Sequence, residues 1–569
     1  MNLIAYGNQN VILNGNPKKT FFTTTYSKYT NFGLQKFRID FDGQRKLRMT
    51  ESSIFEFKVP RYGDLLLDTY LVLDLPNIWS PVVPPTCGAD PAAPTYDWQP
   101  YDFKWIKNIG TQMIESVRFK VGGQIIQEFT GQYLYNLVER DFDNAKKDLY
   151  YKMTGNVKEL NDPANSNSRI NVYPSALVGA GEEYEKYGNE PSIRGRQIYV
   201  PLNIWFTLSS KMAMPLVSLQ YVDLTIEVSI RPVNELFVVR NISSKTDGHD
   251  YTAGFYRKPN FSDTTYSFYK FLHQPPSDVS LTNRLSQDWP SKRTDWNADV
   301  HLIATYGFLS DAEVEKFARE EQRFLIKEVY SKTYHNIFGS KRQDIITQGL
   351  VADWMWFFQR SDAPQRNEWS NYSNWPYQDI IPYNIQAPDV SNSMYIECQS
   401  ANGTTNLIYP ATNLAEDTNG IYYAGVYQAE NQKEIMESWG LIVDGKYREN
   451  VLQSGVLNYI EKYAGSNGNG AEGVYNYNFC LKTDPYDFQP SGAMNMSKFT
   501  NVTFEIATIH PTLDQSANVN VFCDEGGNVI GVEKPAWGIF EYTYDMTVLE
   551  ERYNVLILAN GMGGLEFAR

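Results

Sequence analysis

One stretch of this sequence occurs twice, and the repetition restricts what the chain can fold into. Val121-Gly122-Gly123 marks a turn, and thirteen residues past Gly123 comes Asn136-Leu137-Val138-Glu139-Arg140. Far downstream, Val443-Asp444-Gly445 marks a turn, and thirteen residues past Gly445 comes Asn458-Tyr459-Ile460-Glu461-Lys462. Phe119 matches Leu441, and Phe129 matches Val451, at the same offset. Gly-Gly and Asp-Gly supply the positive φ that tight hairpin turns require. The pattern predicts a hairpin followed by a short helix, once in each half. A period near half the chain indicates two homologous domains, since solenoid repeats run to about 20–50 residues. Length alone, at 569 residues, allows two to four.

The segments around the repeat alternate apolar and polar residues. Val222-Asp223-Leu224-Thr225-Ile226-Glu227-Val228-Ser229-Ile230 does so without a break, the mark of a strand with one buried face. Val502, Phe504 and Ile506 repeat it, as do Phe55, Phe57 and Val59, and Leu71, Leu73 and Leu75. The strands ending at Ile230 and Ile506 fit the same duplication at another offset. Asp42-Gly43 reads as a further hairpin turn. Forty tyrosines and 30 phenylalanines suit pleated, half-buried surfaces. The best helical signal is Ser310 to Arg319, with an N-cap serine, acids in its first turn, and Val314, Phe317 and Ala318 on one face. It lies where a connector between two halves would sit. Pro81–Pro100, Lys152–Arg196, Lys245–Asn297 and Gly465–Gly473 read as polar loops.

Several function classes fall away. The formal charge of −15 argues against a broad nucleic-acid surface. No apolar run approaches the roughly 18 residues of a membrane-spanning helix. Met1 to Asn8 does not read as a secretory signal. Cys87, Cys398, Cys480 and Cys523 are too dispersed for metal or redox spacing and read as free thiols.

The motifs that resemble chemistry have plainer readings. Gly440-Leu441-Ile442-Val443-Asp444-Gly445-Lys446 matches a phosphate loop, but Tyr447 stands where magnesium needs Ser or Thr. It reads as a strand entering an Asp-Gly hairpin, with Lys446 solvated. Gly468-Asn469-Gly470-Ala471-Glu472-Gly473 matches a dinucleotide fingerprint, but a helical pattern precedes it and a strand follows, the reverse of the required order. It reads as a flexible loop. Gly561-Met562-Gly563-Gly564 reads as a tight turn. Asp141 with Asp143, and Glu182 with Glu183, read as solvated loop or helix-end charges. No GxSxG elbow and no triad context for histidine occur. Catalytic, cofactor-binding and metal-binding residues are therefore predicted to be none, and the chain is expected not to be an enzyme. Asn-x-Ser/Thr sites at Asn241, Asn260, Asn371, Asn402, Asn495 and Asn501 read as mostly incidental.

Ala5-Tyr6-Gly7, Val11-Ile12-Leu13-Asn14-Gly15-Asn16-Pro17, Thr20-Phe21-Phe22-Thr23 and Tyr26-Ser27-Lys28-Tyr29-Thr30-Asn31-Phe32 stand in order at the start. Val121-Gly122-Gly123-Gln124, Tyr199-Val200-Pro201-Leu202 and Leu216-Val217-Ser218-Leu219-Gln220-Tyr221 follow. Gln489-Pro490-Ser491-Gly492, Asn495-Met496-Ser497, Tyr553-Asn554-Val555-Leu556 and Gly561-Met562-Gly563-Gly564-Leu565 come near the end. This series resembles the major capsid proteins of nucleo-cytoplasmic large DNA viruses, closest to the algal-virus and mimivirus-like branches. The resemblance implies an all-β fold of two consecutive eight-stranded jelly-roll sandwiches. It places an N-terminal arm at 1–26, a first jelly roll at 27–310, a linker helix at 311–322 and a second jelly roll with C-terminal tail at 323–569. It implies a structural protein whose homotrimers form pseudo-hexagonal capsomers tiling an icosahedral shell. Implied partners are neighbouring capsomers, minor capsid and penton proteins, and an internal viral membrane through adaptors, without direct nucleic-acid binding. It implies a place in the virion capsid, with assembly in the host cytoplasm. Long loops, including Ser361–Thr418, would form the outer crown or subunit contacts. The alternative is a carbohydrate-binding β-sandwich, which exposed aromatics and long loops would also suit.

Overall fold

The computed structural model describes residues 11–12, 15–24, 26–41, 43, 46–80, 103–169, 173–174, 176–178, 186–187, 190–240, 256–261, 267–274, 291–379, 396–399, 405–408, 432–511, 520–523, 529–533 and 542–567. Eight strands frame the two main sheets of the first half: β1 (Gly33–Ile39), β2 (Ser53–Lys58), β3 (Leu65–Leu75), β4 (Ile114–Val121), β5 (Gln124–Phe129), β6 (Arg196–Pro201), β7 (Leu224–Ile230) and β8 (His301–Phe308). They form two sheets, β1-β8-β3-β6 and β2-β7-β4-β5. The second half has β9 (Gln322–Ile337), β10 (Ser340–Asp344), β11 (Leu350–Arg360), β12 (Met436–Val443), β13 (Lys446–Gln453), β14 (Val474–Asn478), β15 (Val502–Thr508) and β16 (Tyr544–Ala559). Their orders are β9-β16-β11-β14 and β10-β15-β12-β13. The same connectivity thus occurs twice, each time as the paired antiparallel sheets of a jelly roll.

Alternation places the core. In β2, Phe55 and Phe57 are buried while Ile54, Glu56 and Lys58 face out. The second half centres on Trp354, Trp356, Trp439 and Phe504, with Trp356 stacked on Trp439 at 5.3 Å between centroids.

The repeat read from sequence is β4–β5–α1 in the first half, where α1 spans Gly131–Asp141. In the second half it is β12–β13–α4, where α4 is a π turn (Val456–Ile460) continued by Glu461–Gly465. Gly122, Gly123, Asp444 and Gly445 all have positive φ, as the hairpins require. The expected connector is α3 (Asp311–Arg319); Val314 and Phe317 are half-buried but Ala318 is exposed, and Ser310 makes no side-chain cap.

Three expectations change. Asp42-Gly43 closes no hairpin, because β1 and β2 belong to opposite sheets. Phe41 and Leu47 of that crossing are buried in the core instead; Asp42 lies outside the described residues. The segment from Lys152 opens inside α2 (Asn144–Thr154), capped by Asp143, and continues into a short helix at Lys158–Asn161. The β7 and β15 strands correspond from Leu224 with Val502 to Ile230 with Thr508, by their pairing to β4 and β12. Pro81–Pro100, Glu182, Glu183, Asn241, Asn402 and Cys87 lie outside the described residues. Among the described residues, no helix is long and apolar enough to cross a membrane.

Candidate functional site

The two halves meet along a buried seam built from the first copy of the repeat. Thr130 caps α1 by accepting from the Tyr133 backbone. Every residue of α1 except Gln132 is buried, because its outer side lies against the sheet β9-β16-β11-β14. That sheet therefore has two apolar faces. Val351 through Phe358 are buried without interruption, and Val329, Met355, Phe357 and Leu549 belong to the same apolar cluster as the first half's core. Strand β1, the first-half counterpart of β9, is exposed from Gly33 to Lys36.

Charge is enclosed in this seam. Arg140 donates through Nη1 to Asp353 Oδ1 at 2.8 Å and through Nη2 to Glu551 Oε1 at 2.9 Å. Its Nε and Nη2 both reach Asp141 Oδ2, at 3.0 and 2.8 Å. Lys327 approaches Glu551 Oε2 at 3.5 Å. Tyr133 donates to Glu551 Oε1 at 3.0 Å, and Thr483 donates to Asp141 Oδ1 at 2.6 Å. Burial, and then the neighbouring Glu551 charge, push the Asp353 carboxyl up to about 8. Burial also opposes ionisation of Glu551, but Arg140 and Lys327 outweigh it and hold that carboxyl well down. Asp353 Oδ2 and Glu551 Oε2 accept no hydrogen bond within 3.5 Å that meets the usual geometry, so burial favours the protonated form of Asp353. With Asp353 neutral, two cations face two anions and the enclosed cluster has no net charge. A buried charge without such balance is costly.

This corrects one reading and sharpens another. Asp141 is not a solvated helix-end charge: the docked second half buries it beside Arg140 and Thr483. Asp143 is the helix-end residue expected, accepting from Lys146 N at 2.7 Å. The Gly468–Gly473 loop follows a helix and precedes a strand as read, but it is clasped. Gly468 N donates to Arg140 O at 2.8 Å and Gly470 N to Glu139 O at 2.7 Å. A Cβ at Gly468 would lie 2.7 Å from the carbonyl oxygens of Arg140, Glu139 and Phe142. Its glycine thus serves a close backbone approach, not a phosphate.

The other motifs fall on turns. Gly440 to Lys446 is β12 entering its hairpin, with Lys446 exposed. The tight turn expected over Gly561–Gly564 is confined to Asn560-Gly561; Met562, Gly563 and Gly564 instead pair with β16 in the short strand Met562–Leu565. Of the six sequons, Asn371 is buried and donates to Trp375 O at 2.8 Å, while Asn260 and Asn501 are exposed. Cys480 is a buried free thiol whose burial pushes it up to about 12. The start of the expected crown loop at Ser361 is instead drawn into the seam: Tyr372 packs on Phe357 at 4.2 Å, and Trp369 Nε1 donates to Glu235 O at 3.1 Å.

Sequence reasoning missed the seam itself. Two signals pointed to it: the apolar run of β11, Trp354-Met355-Trp356-Phe357-Phe358, has no polar alternate, and a cation ends both copies of the repeated helix. The second copy, Lys462, is buried and donates to Asn458 Oδ1 at 2.8 Å. Burial lowers its ammonium to about 8, with Glu434 pulling the other way. The opposite side of α4 from Leu457, Asn458 and Lys462 is bare: Tyr459 is 67%, Ile460 60% and Tyr463 93% exposed.

Comparison with known proteins explains the doubled frame. Residues 20–259 match the family model described as major capsid protein N-terminus, and residues 313–564 match that of the large eukaryotic DNA virus major capsid protein. The chain belongs to the major capsid proteins of large eukaryotic DNA viruses. It is similar to the major capsid protein of Chrysochromulina ericina virus, at 22% identity over 100% of this chain and 99% of that one. It is also similar to that of Phaeocystis pouchetii virus, at 23% over 100% and 99%. The Faustovirus major capsid protein shares its fold with a TM-score of 0.57 and 12% identity, covering 95% of this chain and 93% of that one. The fold is a double jelly roll, and the protein is structural, not an enzyme. The carbohydrate-binding alternative is not favoured.

Proposed function

We propose that this capsid protein assembles as a homotrimer whose six jelly rolls make a pseudo-hexagonal capsomer. One observation carries this reading: the chain uses its repeated docking surface once and leaves the second copy uncovered. In the first half, α1 is buried against the neighbouring jelly roll. In the second half, α4 presents Tyr459, Ile460 and Tyr463 to solvent. The receiving sheet is uneven in the complementary sense. Val329 pairs opposite Glu551 and is 2% exposed, while Lys36, paired opposite Thr305 at the matching position, is exposed. A surface that is not self-complementary makes a head-to-tail contact, which closes into a ring when the rotation allows. Two jelly rolls already stand in that relation within one chain, so three chains supply six.

The wider reading is of capsomers tiling an icosahedral shell assembled in the host cytoplasm. Their partners are neighbouring capsomers, minor capsid and penton proteins, and an internal membrane reached through adaptors. The formal charge of −15 accords with a shell that does not bind the genome directly. We assign 1–26 as an arm, 27–310 and 323–569 as the jelly rolls, and 311–322 as the linker. The bare rings of Phe21, Phe22 and Tyr26 support an arm that meets a neighbour. Mass photometry of the purified chain tests the trimer. A species of three chains is expected, and a monomer at every concentration would overturn it.

A further inference from the structure

Resting on that trimer, we infer that Tyr463 of one copy fills a cleft beside Asp68 and Tyr70 on the first jelly roll of the next. The argument is one of register. Leu66 on β3 pairs with Tyr306 on one side and with Met214 on the other. Val351 on β11 pairs with Arg552 on one side and with Met494 on the other. Both strands carry an irregularity directly after that residue. Asp68 therefore occupies in the first jelly roll the position that Asp353 occupies in the second. Asp353 is where the end of α1 docks within the chain, through Arg140 with Asp141 beside it. The sequence repeat matches Arg140 with Lys462 and Asp141 with Tyr463. Repeating the internal docking between copies places the end of α4 over Asp68.

The surface at Asp68 suits what would arrive there. A cleft of about 360 Å³ opens between β3, α2 and the loop carrying Tyr486. Tyr70, Phe142 and Tyr486 give it aromatic walls. Lys146 stands 3.8 Å from the Tyr486 ring centroid and 4.5 Å from that of Phe142. An aromatic side chain entering here gains apolar burial and ring contacts. Its phenol has the Asp68 carboxylate as an acceptor. Among the described residues nothing plays this part, and the 93% exposed Tyr463 is a large ring without a covering surface.

The test is cross-linking of the full-length chain. Asp68→Cys combined with Tyr463→Cys should give disulfide-linked dimers and trimers on a non-reducing gel, reversed by reductant. Each single variant should give none. A trimer seen by mass photometry without these cross-links would overturn the contact and leave the trimer reading intact. A monomer throughout would remove both. As a second measurement, Tyr463→Asp should raise the concentration of half-assembly at least tenfold, and adding Asp68→Lys should restore it. Failure of that rescue in a protein that still trimerises would also count against the contact. Because Tyr463 is exposed, its substitution leaves the folded chain intact.

Discussion

The Arg140 guanidinium meets the Asp353 carboxyl at 2.8 Å across the seam, linking a helix of one jelly roll to a central strand of the other. Both side chains are within 1% of full burial. Such a cluster is weak evidence for net stability, but removing one partner strands the remaining charges. Arg140→Ala should cost about 3–5 kcal/mol, read as a lowered unfolding midpoint in urea. Arg140→Lys should recover only part of it, since an ammonium lacks the planar fork that serves three carboxyl groups.

The Asp353 proton makes the seam sensitive to alkali. The folded chain holds this proton up to about pH 8, whereas an unfolded aspartate loses it near its model value of 3.8. Stability from this group is therefore full at low pH and is lost as pH rises toward 8. Stability therefore falls with pH through this range, most steeply between the two pKa values and progressively less as the folded carboxyl ionises. Lys462, depressed to about 8, acts in the opposite sense above that pH. Asp353→Asn isolates the first effect: its melting temperature should fall less than that of the native chain between pH 6 and 8. Parallel curves would show that Asp353 carries no proton in the seam.

Gly468 tests the clasp. Its missing side chain lets the loop sit on three carbonyl oxygens at the end of α1. Gly468→Ala should lower the melting temperature by several degrees, because a strained backbone cannot yield as a flexible side chain would. Gly33→Ala, where a Cβ meets nothing within 4 Å, should be nearly neutral.

Trp439 tests the second core. It is fully buried against Trp356, Tyr477 and Phe504. Trp439→Ala should cost about 3–5 kcal/mol, measured by denaturant unfolding.

Deleting residues 1–25 should leave the trimer intact and impair shell assembly, scored by electron microscopy of the assembled material. The exposed rings at Phe21 and Phe22 are lost with that segment. Loss of the trimer itself would place the arm inside the capsomer contact.

The repeat, the alternating strands and the glycine turns were legible in sequence because each depends on residues close along the chain. Periodicity two places Phe55 and Phe57 inward whatever else surrounds them, and Gly123 and Gly445 fix their hairpins locally. Asp42-Gly43 misled because a turn dipeptide says nothing about whether the flanking strands share a sheet.

What the tertiary structure alone decided is where the two copies of the repeat differ. Arg140 and Lys462 hold the same place in sequence, yet one closes the seam and the other ends a helix whose aromatic face is open. Asp141 reads as a surface charge until the second jelly roll, hundreds of residues away, removes it from water. The sequence by itself determined two repeated β halves; the docking of one on the other decided which charges are buried and which faces remain to be covered. Burial and charge pairing arise from distant residues brought together, and local pattern does not contain them.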